Sequence, residues 1–408
     1  MKLSFNDILY AFSYALDCVE HDMIGVTTHH GKRVAYLSIL MGKFLKLPQT
    51  QLMDLAACAI LHDNALTEYI QTEYFKGVNI YKEKQYFNEG EHCALGEKNM
   101  DKIPLCPEAQ NAVLYHHENA DGSGPFGRSA EQTPLFAQLI HMADQIDANW
   151  DLSFINQRKY QKLLDFIEQN KDKMFSKQCV EAFYGAVNYE GLAALSNDNI
   201  ELILAQSIDN TQRDYSEKEL MDFALMFANI IDYKSEFTGQ HSLGIAEKAA
   251  YMSKHFGFDD ITVTKMFVAG AVHDIGKLVI DKDILEKPDK LTEQEYKYIQ
   301  NHAYYTYEIL RKIKGFEDIT KWAALHHEKL NGKGYPFGKK ADELGFNERL
   351  MACLDIYQAL TEERPYKKGL SHDKTMDILR KLVEDGSLDG EIVEEIGKVY
   401  GNCLIKNS

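Results

Sequence analysis

Apolar residues recur at three- and four-residue spacing along residues 32–45, 51–61, 243–255 and 261–272, without the strict alternation of half-buried strands, and this pattern predicts amphipathic helices. Proline, glycine, aspartate and asparagine gather in short connections between such segments. Two stretches, 119–127 and 330–338, carry too much glycine for helix and are expected to be loops. The fold class that follows is all-α. A polar stretch over 194–214, opening on Ser196-Asn197-Asp198-Asn199, is the natural place to divide the chain, with residues 200–205 as a helical connector. The expected domains are therefore 1–205 and 206–408.

The two halves repeat one pattern. His30, His62-Asp63, His92, His116-His117 and Asp144 correspond to His241, His273-Asp274, His302, His326-His327 and Asp355, at offsets of 211, 211, 210, 210 and 211 residues. Ten of the fifteen histidines belong to this pattern, which scattered core or surface histidines would not produce. Leu61-His62-Asp63 parallels Val272-His273-Asp274, and His116-His117-Glu118 with Gly122 and Gly124 parallels His326-His327-Glu328 with Gly332 and Gly334. The offset returns to 211 because Gly334-Tyr335-Pro336 has only Gly124-Pro125 opposite it. His21, His29, His141, His255 and His372 fall outside the pattern and read as ordinary polar residues.

Composition narrows the chemistry. The chain has 408 residues, 45% of them hydrophobic and 26% charged, enough for two domains of roughly 200 residues each. No apolar run approaches the ~20 residues of a membrane span, and the first residues lack the apolar core of a signal peptide, so a cytoplasmic protein with no membrane partner is expected. Seven cysteines at irregular spacing suggest neither a disulfide framework nor a cysteine zinc knuckle. A net charge of −17 argues against a nucleic acid polymer as partner, but leaves room for a small anion held by local cations.

Adjacent residues on a helix point about 100° apart, so the pairs His273-Asp274 and His326-His327 serve a single ion poorly and two neighbouring ions well. A carboxylate can bridge two cations while imidazoles complete each shell, and paired ions ~3.5–4 Å apart are a recurrent device for phosphoryl chemistry. Five imidazoles and two carboxylates suit such a centre.

The runs His273-Asp274-Ile275-Gly276-Lys277, His326 through Pro336, and Asp355 through Arg364-Pro365-Tyr366 resemble the HD-GYP phosphodiesterases over roughly residues 232–370. The resemblance implies two tandem HD-type helical domains, an iron or manganese centre, and hydrolysis of a cyclic dinucleotide, either cyclic di-GMP or 3′,3′-cyclic GMP-AMP. It assigns one ion to His241, His273, Asp274 and Asp355 and the other to Asp274, His302, His326 and His327, with Asp274 as the bridge. The family's His-His-Glu-Arg-x-Asp-Gly stands here as His326-His327-Glu328-Lys329-Leu330-Asn331-Gly332. A glutamate used by some relatives for a third ion falls on Phe237, with Glu236 one residue off, so two ions are expected. Lys277, a helical turn beyond His273, would stabilise phosphate charge as a catalytic and substrate-binding group. Tyr335, Arg364 and Lys367 would contact the nucleotide.

The first copy keeps all seven ligands, yet Leu66 stands at the position of Lys277, Tyr335 has no counterpart and Ser153 replaces the arginine. It reads as a degenerate copy with a further metal set, serving as a structural partner, a regulatory domain or a second active site. Two other functions remain open for the chain: a non-catalytic cyclic-dinucleotide receptor, and an HD-domain phosphohydrolase of mononucleotides. The residues do not specify protein partners or an oligomeric state.

Overall fold

The computed structural model describes residues 1–24, 28–76, 88–195, 199–208, 212–234, 241–285, 287, 289–363 and 368–406. Their fold is all-α, as the periodicity predicts, with one short addition: Lys2–Ser4 pairs antiparallel with Gln212–Asp214, Leu3 lying opposite Arg213. Leu3 is fully buried, which anchors this ribbon. The chain divides into two compact units, Lys2–Asp214 and Tyr215–Ser408 together with Met1.

This division falls at Asp214/Tyr215 rather than at the expected 205/206, and the reason lies in the connector. Helix Ile200–Ser207 buries Ile200 and Leu204, while Glu201 pairs with the buried ammonium of Lys32 at 2.5 Å. Both interactions tie it to the N-terminal unit, and the ribbon then carries the chain back to Lys2. A pairing between residues so far apart in sequence has no local signal.

Within the C-terminal unit, helices His241–His255 and Asp260–Val272 pack through small residues. A Cβ on Gly270 would come within 2.8–2.9 Å of the Ala246 backbone, so only glycine lets the two helices approach this closely. The approach brings the imidazoles of His241 and His273 to 5.5 Å between ring centroids. Ile245, Met252, Met266 and Ala271 fill the space beneath, each large apolar side chain contributing about 1.5–3 kcal/mol by leaving water. Helix ends are fixed by side chains: Asp259 accepts from Thr262 N at 2.7 Å, and Ser216 and Thr292 form reciprocal caps with Glu219 and Glu295. No helix among the described residues is long and apolar enough to cross a membrane.

Candidate metal centre

Six elements supply the C-terminal cluster. His241 opens helix His241–His255, whose first turn is held by Asp232, accepting from Ser242 N at 3.0 Å and Ser242 Oγ at 2.6 Å. His273 ends helix Asp260–Val272, and Asp274 begins the 3₁₀ turn Ile275–Val279. His302 lies within Glu293–Leu310, His326 and His327 follow Glu317–Ala324, and Asp355 lies within Phe346–Thr361.

The ring nitrogens are orientated by the backbone. Nδ1 of His273, His302 and His326 donates to the carbonyls of Gly270, Ile299 and Ala323, each three residues earlier, at 2.8, 2.7 and 2.6 Å. That assignment leaves each Nε2 as a lone-pair donor aimed inward. These three Nε2 atoms and Asp274 Oδ1 are buried with no hydrogen-bond partner among the described residues. Asp274 Oδ2 lies 3.1 Å from His273 Nε2, whereas Oδ1 lies 3.3 Å from His302 Nε2 and 3.8 Å from His326 Nε2. Asp355 Oδ1 lies 3.4 Å from His241 Nε2, and its Oδ2 lies 3.7 Å from His327 Nδ1. Two groups, His241/His273/Asp355 and His302/His326/His327, each gather their ligand atoms within 4.8 Å. Buried lone pairs facing one another without protons between them fit divalent cations.

Burial penalises the charge of Asp274, but His273 and Lys277 outweigh it and hold the carboxyl well below the usual range. Asp355 is likewise held far down, the His241 bond overcoming burial. Burial is the main reason that His302 is pushed down to about 3, which keeps it neutral and able to ligate. His241 is raised to about 9, because bonds to Asp355 and Glu362 outweigh burial.

Lys277 does not lie on an α-helical turn, as its spacing suggested. The 3₁₀ turn places its ammonium directly on Asp274 Oδ2, three residues back, with 22% of the side chain exposed. The Tyr335 ring packs 4.7 Å from His327 and 6.2 Å from His302, and its N–H donates to the His327 carbonyl at 3.2 Å. Arg364 and Lys367 lie outside the described residues, as do Glu236 and Phe237. Two further groups were given no role from the sequence. Glu362 accepts from His241 Nδ1 at 3.0 Å, and nothing in the spacing marks it. Glu328 accepts from Phe337 N at 2.7 Å and Lys339 N at 2.9 Å, pinning the glycine-rich loop; its repetition as Glu118, which accepts from Phe126 N and Arg128 N at 2.5 Å, was the available signal.

The N-terminal unit gathers its seven residues in the same manner. His62 and His116 donate through Nδ1 to the Ala59 and Val113 carbonyls at 2.9 and 2.6 Å, leaving each buried Nε2 without a hydrogen-bond partner among the described residues. Asp63 Oδ1 lies 3.3 Å from His92 Nε2 and 3.5 Å from His116 Nε2, and Asp144 Oδ1 lies 3.1 Å from His30 Nε2 and 3.7 Å from His62 Nε2. His117 rests against His92, with ring centroids 5.1 Å apart. The outer carboxylate differs: His30 Nδ1 contacts Asp147 at 2.7 Å, itself bound by the buried Arg33 at 2.7 Å. His141, which read as an ordinary polar residue, is buried and its Nδ1 donates to the His116 carbonyl at 2.9 Å. Leu66, opposite Lys277, is buried and presents no charge.

A family model described as HD domain matches residues 21–176 and 225–392. The 3′3′-cGAMP-specific phosphodiesterase 1 of Vibrio cholerae serotype O1 is 28% identical over 405 residues, covering 97% of this chain and 91% of that protein. The 3′3′-cGAMP-specific phosphodiesterase 3 of the same organism is 30% identical over 320 residues, 77% of this chain and 64% of the relative. A cyclic di-GMP phosphodiesterase of Pseudomonas aeruginosa is 30% identical over 168 residues, 41% of this chain and 40% of its own. Among solved structures, a cyclic GMP-AMP-specific phosphodiesterase of V. cholerae shares the fold at a TM-score of 0.66 and 22% identity, covering 98% of both chains.

Proposed function

We propose, from the premise that this chain belongs to the HD-domain family, that it is a metal-dependent phosphodiesterase hydrolysing the 3′–5′ phosphodiester of a cyclic dinucleotide, with catalysis in the C-terminal unit. The observation that carries the reading is Asp274, whose two carboxylate oxygens face different sets of buried, inward-aimed imidazole nitrogens. On this reading His241, His273, Asp274 and Asp355 hold one divalent ion and Asp274, His302, His326 and His327 the other, with iron or manganese suited to imidazole and carboxylate donors. Such ions, when bound, polarise the phosphate and lower the pKa of a water nucleophile.

The chain's own residues do the rest. Lys277, at the edge of the cluster, turns its ammonium from Asp274 toward a phosphate oxygen and stabilises charge that grows in the transition state. Tyr335, held over His327, offers a ring to a base and a hydroxyl to its edge. Arg364 and Lys367 complete the nucleotide contacts by resemblance to the family. Because the cyclic GMP-AMP-specific relative aligns along the whole tandem and the cyclic di-GMP relative along 41% of this chain, 3′,3′-cyclic GMP-AMP is the favoured substrate. The N-terminal unit keeps metal ligands but presents Leu66 instead of an ammonium, which favours a structural or regulatory metal site there.

The test is turnover by metal-loaded protein on 3′,3′-cyclic GMP-AMP, cyclic di-GMP and a panel of mononucleotides. Loss of a cyclic dinucleotide with appearance of a linear product supports the assignment. Binding without turnover would make the chain a receptor, and turnover restricted to mononucleotides would make it a general phosphohydrolase.

A further inference from the structure

The two clusters also differ at a buried position beside their third histidine. The residue after His302 is Ala303, whereas the residue after His92 is Cys93, at the same offset of 210. Cys93 is fully buried, and its Sγ lies 3.7 Å from His92 Nε2 and 3.6 Å from His116 Nδ1. The same His92 Nε2 faces Asp63 Oδ1 at 3.3 Å, and His116 Nε2, buried and without a hydrogen-bond partner among the described residues, faces that oxygen at 3.5 Å. His92, Cys93, His116 and His117 each offer an atom within 4.8 Å of the others. Ligands on a tetrahedral ion with Zn–N ~2.0–2.1 Å and Zn–S ~2.3 Å sit roughly 3.5 Å apart, the separation between this sulfur and the His92 nitrogen.

We propose that Cys93 is a metal ligand of the N-terminal unit, converting its second ion position into a thiolate–imidazole site that takes zinc in preference to the iron or manganese of the C-terminal unit. The inference rests on the reading that the N-terminal unit binds metal at all. Imidazole and carboxylate alone accept most divalent ions, but a thiolate is soft and discriminates against manganese while favouring zinc. Coordination releases the thiol proton to solvent and holds the sulfur as thiolate. The C-terminal cluster, with a methyl group at the equivalent place, lacks this selectivity. The tandem chain would then hold two metals of different kinds, so its two units would answer to the supply of different ions.

The experiment uses the full chain carrying His273→Ala and Asp274→Ala, so that added cobalt(II) reports on the N-terminal unit. A near-ultraviolet thiolate-to-cobalt charge-transfer band is expected, and it should vanish on adding Cys93→Ala, a residue the second copy already tolerates as Ala303. Zinc affinity should fall by at least about tenfold in Cys93→Ala while manganese affinity stays within about twofold, since only zinc gains from the sulfur. Cys93→Ser keeps the size and offers hard oxygen, so the band must be lost there too should the alanine variant misfold. Cobalt bound without the band, or a band that survives both substitutions, overturns the role of Cys93 and leaves the metal site standing. No cobalt bound overturns the metal site itself, and the proposal with it.

Discussion

Substituting Gly276 by alanine probes how the turn bearing Asp274 and Lys277 is set against the helix bearing His302. Gly276 N donates to Thr306 Oγ1 at 3.1 Å, and that hydroxyl donates to the His273 carbonyl at 2.9 Å, clasping the turn to helix Glu293–Leu310. A Cβ at 276 would lie 2.7 Å from Thr306 N and 2.8 Å from the His302 carbonyl carbon, and nearer still to that carbonyl's oxygen. All three are backbone atoms of the helix, so no rotamer change relieves the collision. Reaching ordinary contact at 3.4 Å requires a separation of about 0.7 Å at Thr306 N and of more than about 1 Å at the His302 carbonyl oxygen. His302 Nε2 and Asp274 Oδ1, 3.3 Å apart across the same interface, separate with it. Overpacking of this kind costs about 1–3 kcal/mol of stability, and a misplacement approaching 1 Å lowers turnover on the order of 100-fold. Thermal melts, metal content and kcat/KM for a cyclic dinucleotide should therefore show a folded but less stable Gly276→Ala protein with impaired turnover. Wild-type melting and turnover in this variant would refute the argument that close backbone contact sets the site.

Lys277→Ala should lower kcat and kcat/KM together by about 10–1,000-fold with metal content preserved, because its interaction belongs to the transition state; lost metal or unchanged kcat would count against that role. Glu328→Ala frees the two loop N–H groups it holds and should raise KM through Tyr335 while metal content stays level, as metal analysis beside a substrate titration would reveal. His141 adds a pH dependence to the N-terminal unit. Burial lowers its pKa to about 4, below the ~6.5 of the unfolded chain, so between these values unfolding takes up a proton and stability falls as pH drops. The loss is about 2 kcal/mol at pH 5. Denaturant melts from pH 7 to 5 should show a shallower decline in His141→Ala; an identical slope would exclude His141 as the source.

The histidine–aspartate pattern was legible because ligands are discrete residue types written twice at fixed spacing, and the fold brings both sets of seven together. Helix starts were read to within a residue or two, since periodicity and caps are local: the helix expected from 261 begins at Asp260 behind its Asp259 cap. What sequence missed depends on approach between distant segments. The 3₁₀ turn at Lys277 follows from Gly276 pressed against the His302 helix, and Glu362 and Asp147 reach their histidines from places that differ between copies. His141 has Ala352 opposite it, so no repetition drew attention to its support of His116. Cys93 was one of seven scattered cysteines until its neighbours were known.

The central claim, that cyclic-dinucleotide hydrolysis resides in the C-terminal cluster, is tested most directly by two double variants of the full chain assayed side by side. His273→Ala with Asp274→Ala should abolish turnover in a folded protein. His62→Ala with Asp63→Ala should lower bound metal while turnover persists. Substantial hydrolysis by the first variant, or its loss in the second with the C-terminal metal retained, would contradict the account.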